Sequence, residues 1–201
     1  MKIKSKEFII YLIAIITSGA YLGNLINMGL VHAPYWQSLN PTVFMLDFSK
    51  KFNLLVLTLP FTRLPSLITI SVSIWLNRKI PKIMRLWIYS LIPVLIGLSL
   101  AIFHFLPINN GFIDQLFSPD EAILKLQWWI NVHWVRVALS VISTVYTVLA
   151  FKASIEHNNF GSKKNKWLNT YHYYYLLGWL GGKWYMVRKS FDASWWANIQ
   201  I

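Results

Sequence analysis

Four apolar runs, at about residues 8–30, 54–76, 83–106 and 128–151, constrain this chain more than any other feature. Each reaches the roughly 20 mostly apolar residues that a helix needs to cross a hydrocarbon core. The composition agrees. Hydrophobic residues make up 56% of the chain, charged residues only 13%, and the mean hydropathy is +0.45, well on the apolar side of a soluble domain. The expected fold is therefore all-α, an integral membrane four-helix bundle over residues 1–151. The first run comes after "MKIKSKE". It is too long for a signal-peptide core and has no small-residue cleavage site after it, so it is expected to be a retained helix. Cysteine is absent, which removes disulfides, thiolate metal sites and cysteine nucleophiles.

Charge sets the expected orientation. Lys2, Lys4 and Lys6 precede the first run; Arg78, Lys79, Lys82 and Arg85 lie between the second and third; Lys152, Lys163, Lys164 and Lys166 come after the fourth. The opposite side carries Lys50, Lys51 and Lys125 beside Asp47, Asp114, Asp120 and Glu121. The positive-inside rule then places both termini in the cytoplasm, with outer loops at about 31–53 and 107–127. The expected location is a bacterial inner membrane. The net charge of +12 reads as topology plus attraction to anionic lipid, and no nucleic-acid recognition motif accompanies it.

Residues 152–201 differ in character. "WLNTYHYYYLLGWLGGKWYMVRKSFDASWWANIQI" is dense in Trp and Tyr and carries Lys183, Arg188 and Lys189. Aromatics mixed with cations suit the headgroup layer. A cytoplasmic membrane-surface tail of one or two short helices is expected, and the same surface could serve a protein partner.

With that topology, polar residues from all four runs reach the outer half: Asn24, Asn27 and His32 from the first, Thr58, Thr62 and Arg63 from the second, His104 from the third, and Asn131, His133 and Arg136 from the fourth. An arginine near mid-membrane costs about 2.5–3.5 kcal/mol on insertion scales and almost always faces a bundle interior or a wet cavity. His133 and Arg136 are three apart and share a helix face, with Ser140 one turn on. Asn24, Asn27, Met28 and His32 form a similar stripe, and Gly19 and Gly23 would admit a neighbouring helix. Pro60 and Pro65 flank Arg63 and would free carbonyls near it. Each residue also has a plainer role. The histidines and asparagines could be interhelical hydrogen-bonding groups, the arginines could snorkel to headgroups, and Trp128, Trp129 and Trp134 could be belt anchors. Convergence of all of them on one layer favours a site.

Two chemistries fit such a site. His32, His104 and His133 could converge on copper, iron or zinc, or serve a haem. Alternatively a histidine acts as general base while Arg63 and Arg136 stabilise an oxyanion such as a phenolate or enolate. No Ser–His–Asp order, phosphate-cradling loop or dinucleotide fingerprint is present.

Three segments carry a resemblance: "GNLINMGLVHAPYW", "LPINN" and "WWINVHWVR". Together they resemble the anthrone oxygenase-like family of small four-span membrane proteins, over about residues 8–151. The resemblance implies an oxygenase that turns a polycyclic phenolic anthrone into a quinone with dioxygen and no well-defined cofactor. Carried onto this chain it points to Pro34, Pro107, Asn109, Trp129 and Arg136. Three residues before the Arg the resemblance implies Asn, where this sequence has His133. The expected site thus comprises His133, Arg136 and Arg63 as chemical groups, Asn24, Asn27, Asn109 and Trp129 as ligand-binding groups, and His32, His104 and His133 as metal candidates. The expected ligand is a small aromatic or quinone-like molecule. A different class of reading is a non-enzymatic subunit or scaffold that docks a partner through its tail.

Overall fold

The computed structural model describes residues 5–180, with side chains through residue 157 apart from Leu55 and Leu59. Every regular element among them is helical. In order these are α1 (Ser5–Asn27), a π-helical turn (Met28–His32), α2 (Ala33–Gln37), α3 (Pro41–Leu76), α4 (Pro81–Leu100), a second π-helical turn (Ala101–Phe105), α5 (Leu106–Ile113) and α6 (Pro119–Leu180). Ser5–Gln37, Pro41–Leu76, Pro81–Ile113 and Pro119–His157 are long and apolar enough to cross a membrane.

The prolines account for much of this punctuation. Pro34, Pro41, Pro81 and Pro107 stand in the first turn of their helices and α6 begins at Pro119, where a missing N–H costs nothing. Pro34 and Pro107 each come two residues after a π turn. A proline ring clashes with the carbonyl four residues back, and a helix can accommodate this by widening locally. The Ala33 N–H accordingly reaches back five residues to Met28 O, and Leu106 N–H to Ala101 O.

The outer loops expected at 31–53 and 107–127 are corrected by this arrangement. Most of both stretches is helix, and the chain turns only at residues 38–40 and 114–118. Asn40 caps α3, its Oδ1 accepting from Thr42 N at 3.1 Å. Ser118 and Glu121 form a capping box on α6, with Ser118 N donating to Glu121 Oε2 at 3.2 Å and Glu121 N to Ser118 Oγ at 3.4 Å. Before it, Gln115 takes φ 53° and Leu116 N bonds Gly111 O at 2.9 Å, closing α5 as a Schellman turn. A Cβ at Gly111 would run into the Phe117 ring.

The chain divides into two units near residue 159. Residues 2–159 hold three buried clusters at successive levels. At the end near the 38–40 and 114–118 turns, Trp36, Phe44, Phe48, Phe105, Phe112 and Trp129 pack as an aromatic layer. Tyr21, Leu25 and Val137 form a middle cluster. Tyr11, Ile70, Ile83, Trp87, Val94 and Ala150 fill the other end. Short hydroxyls tie the helices there: Ser18 Oγ to Ser66 Oγ at 2.9 Å, Ser90 Oγ to Thr147 Oγ1 at 2.6 Å, and Asn77 Nδ2 to Tyr11 OH at 2.9 Å. Such bonds contribute about 0.6 kcal/mol each inside a membrane protein. In the second unit α6 continues to Leu180; of the expected surface tail, residues 181–201 lie outside the described residues.

Gly19 and Gly23 do not serve the close helix approach expected of them, since a Cβ at either would meet nothing within 4 Å. The tight spots are elsewhere. A Cβ at Gly29 would lie 3.1 Å from Trp134 and 3.3 Å from His133 Cδ2, and one at Gly97 would lie 2.9 Å from Arg63 Nη2.

Candidate functional site

Between the aromatic layer and the middle cluster lies a cavity of about 60 Å³. At roughly 10–15 Å³ per water, that is room for about four to six waters. Asn24, Asn109, Trp129, His133 and Arg136 all line it. They come from α1, α5 and α6, so the structure brings together residues more than 100 positions apart.

His133 is 1% exposed. Its ring stacks on Trp129 at 5.1 Å with an interplanar angle of 2°, and Trp129 in turn donates from Nε1 to Asn109 Oδ1 at 2.9 Å. His133 Nε2 lies 2.9 Å from Leu25 O. A carbonyl only accepts, so Nε2 carries the hydrogen and Nδ1 of the neutral ring holds a lone pair. That Nδ1 is buried and has no hydrogen-bond partner.

Arg136, one helical turn further along α6, is 8% exposed. Its Nη2 donates to Tyr21 OH at 3.2 Å, and its guanidinium carbon sits 4.3 Å from the centroid of the Phe105 ring. Its Nε is buried without a partner. Arg63 reaches the same region from α3. It donates from Nη2 to Val94 O at 2.6 Å, and its guanidinium carbon lies over the Tyr21 ring at 4.3 Å. Tyr21 therefore touches both guanidiniums. The ion pairs among the described residues are Lys51–Asp47 at 2.7 Å and Lys152–Glu156 at 4.0 Å. Among the described residues no carboxylate pairs with either arginine. A buried and a half-buried cation held by neutral oxygens and ring faces create a positive potential, and a small dielectric makes that potential strong.

The remaining expected residues are placed differently. Asn24 sits at the cavity edge and donates from Nδ2 to Thr58 Oγ1 at 2.8 Å. Asn27 is exposed. Arg63 is near the cavity but does not line it, being drawn to the α4 backbone beside Gly97. Val94 O, and not a carbonyl freed by Pro60 or Pro65, is the acceptor it takes. His32 packs 5.7 Å from the Trp36 ring, and His104 packs 6.2 Å from Trp128 with its Nε2 buried and unpartnered.

The expected three-histidine metal set is not formed. No group of three or more His, Asp or Glu side chains that could hold a metal occurs among the described residues. The two π turns explain part of this, since each inserts an extra residue and rotates the downstream segment relative to a regular helix. His32 and His104 both lie in those turns.

Several site residues carry little or no signal in the sequence. Tyr21 precedes Asn24 by three and Leu25 by four, so helical spacing alone could have placed it on the same face. Phe105 has no signal beyond its aromaticity. The Leu25 carbonyl has none, because a backbone acceptor is silent in sequence. Trp36 seals the cavity beneath the turns and donates from Nε1 to Asp47 Oδ2 at 3.3 Å.

The fold and site together define a chain with four helices fit to cross a membrane and a buried, cationic, partly polar cavity between them. Comparison with known proteins gives no match to any family model, to any curated protein or to any solved structure.

Proposed function

We propose that this chain is an integral membrane protein that binds a small aromatic or quinone-like molecule by its ionisable oxygen and oxidises it with dioxygen. The observation that carries this reading is the cavity lined by His133 and Arg136, each with a buried nitrogen that has no partner, in a region with two uncompensated guanidiniums. A bound oxyanion would supply the missing acceptor for Arg136 Nε. His133 Nδ1 would take a proton from the substrate, and Arg136 would hold the resulting anion, with Arg63 strengthening the field through Tyr21. Trp36, Phe48 and Trp129 offer aromatic walls. For an anthrone-like substrate the net change is a ring CH2 and one O2 giving C=O and H2O, with no external reductant. The resemblance of residues 8–151 to anthrone oxygenase-like proteins supports this chemistry.

In this reading both termini face the cytoplasm, the 38–40 and 114–118 turns face outward, and a bacterial inner membrane is the natural location. The positive residues flanking the helices support that orientation.

The test uses the full chain in lipid nanodiscs, with anthrone as substrate in an oxygen-uptake assay and 1-naphthol as a binding probe. A hydrogen bond to a charged group contributes about 1.5–3 kcal/mol, so Arg136→Met should weaken naphthol binding by about 10- to 100-fold. His133→Ala should keep binding and lose oxygen uptake. Unchanged binding and uptake in a folded Arg136→Met protein would sink the reading. A scaffold role is the second reading, favoured by the aromatic and basic sequence of residues 160–201. Removal of residues 160–201 discriminates, since a self-contained oxidase keeps oxygen uptake and a scaffold has none to lose.

A further inference from the structure

The cavity between the aromatic layer and the middle cluster is small. About 60 Å³ holds about four to six waters, and so a ligand with about that many non-hydrogen atoms. A small acid fits whole, whereas a larger molecule brings in only its acidic group. What the walls require of that group is set by charge and by hydrogen-bond sense.

Charge comes first. Arg136 is buried and Arg63 half-buried, and the two guanidiniums meet on Tyr21. They are held by the Tyr21 hydroxyl, the Val94 carbonyl and the rings of Tyr21 and Phe105, and among the described residues no carboxylate pairs with either. A cation withdrawn from water without a counter-charge is costly to the fold. A bound anion would offset that cost.

Hydrogen-bond sense narrows the class further. Trp129 Nε1 only donates, so its 2.9 Å bond identifies the Asn109 atom it meets as the amide oxygen and leaves the amide N–H2 for a ligand. Arg136 Nε–H is buried without a partner. Both of these are donors. His133 supplies the opposite kind of group: with Nε2–H given to Leu25 O at 2.9 Å, the buried and unpartnered Nδ1 of the neutral ring can only accept. Asn24, with Nδ2 on Thr58 Oγ1, presents a further acceptor oxygen at the cavity edge. A halide would satisfy the donors but face the Nδ1 lone pair, and a neutral alcohol would satisfy Nδ1 but leave the positive charge bare.

We infer that the cavity is a site for a small oxyanion that keeps one proton, a molecule with an O–H beside an ionised oxygen, of which hydrogencarbonate is the simplest. The ionised oxygen accepts from Arg136 Nε–H and the Asn109 amide, as a charge-assisted pair. The O–H donates to His133 Nδ1. This assignment uses the residues of the aromatic reading above but goes beyond it, and stands without the oxidation step.

The experiment is calorimetric titration of the full chain in nanodiscs with sodium hydrogencarbonate, formate and chloride at one pH and ionic strength, against empty nanodiscs. Hydrogencarbonate should bind, and formate and chloride should bind about two- to ten-fold more weakly for want of the bond to Nδ1. Arg136→Met should weaken hydrogencarbonate by about 10- to 100-fold. His133→Phe keeps a ring against Trp129 and should bring hydrogencarbonate down to the level of formate, with formate itself unchanged. Ile123→Ala, in a separate groove along Gln37, Pro41 and Gln127, should change nothing. The comparison of three salts on the unaltered chain needs no variant, so it decides even where a variant fails to fold. Equal binding of all three would overturn the proton-bearing ligand, and no binding of any would mean that water alone fills the cavity. Hydrogencarbonate that is silent while 1-naphthol binds overturns this assignment and spares the aromatic reading; the reverse overturns the aromatic reading and spares this one.

Discussion

His133 and Arg136 stand three residues apart, and that spacing alone puts them on one helix face. What they do there depends on groups that the sequence shows only in part. Leu25 contributes its carbonyl, Trp129 its ring plane, and Tyr21 a hydroxyl and a ring face that touch two guanidiniums. Glycines show the same divide. Gly19 and Gly23 have the spacing of a helix-packing motif, yet both face open space, while Gly29 is the one that lies against His133 and Trp134. Two substitutions of identical chemistry should therefore differ in sign. Gly29→Ala, which adds a methyl where neighbours stand at 3.1–3.3 Å, should lower stability by about 1–3 kcal/mol as an overpacking change. Gly23→Ala should be neutral or stabilising by up to about 1 kcal/mol through helix propensity. Thermal unfolding of both variants in the same detergent checks the contrast, and equal destabilisation would contradict it.

At the scale of elements, the four apolar runs are legible because a hydrocarbon core demands length and hydropathy, both of which are read directly from residues. Their ends are not. Pro34, Pro41, Pro107 and Pro119 suggest loops, whereas each opens a helix or sits in its first turn. Proline is silent on whether a chain stops before it or starts with it. Two of these prolines, Pro34 and Pro107, each follow a π turn. One extra residue in a turn rotates the next segment by about 100° relative to a regular helix, and this rotation is what carries Asn109 to Trp129. Pro107→Ala should let the turn relax toward regular helix and loosen the Asn109–Trp129 bond of 2.9 Å. Naphthol binding should then fall by about five- to ten-fold, the loss of one buried hydrogen bond, with total helicity by circular dichroism unchanged. Retention of full affinity would show that tertiary packing, and not proline, fixes the turn.

For the whole molecule, the absence of cysteine makes orientation directly measurable. Single cysteines at Ser38 and Gln115 should react with a membrane-impermeant maleimide added to intact cells. Cysteines at Lys79 and Lys152 should react only after permeabilisation, and the reverse pattern would invert the proposed topology. Orientation also gives meaning to the hydrogen bond between His133 and Leu25. Because Nε2–H is committed to that carbonyl, a proton accepted at Nδ1 has no exit through the far side of the ring. It must return to the cavity from which it came. The imidazole is then a dead end for proton conduction and not a link in a chain, so any proton it takes up stays within the cavity.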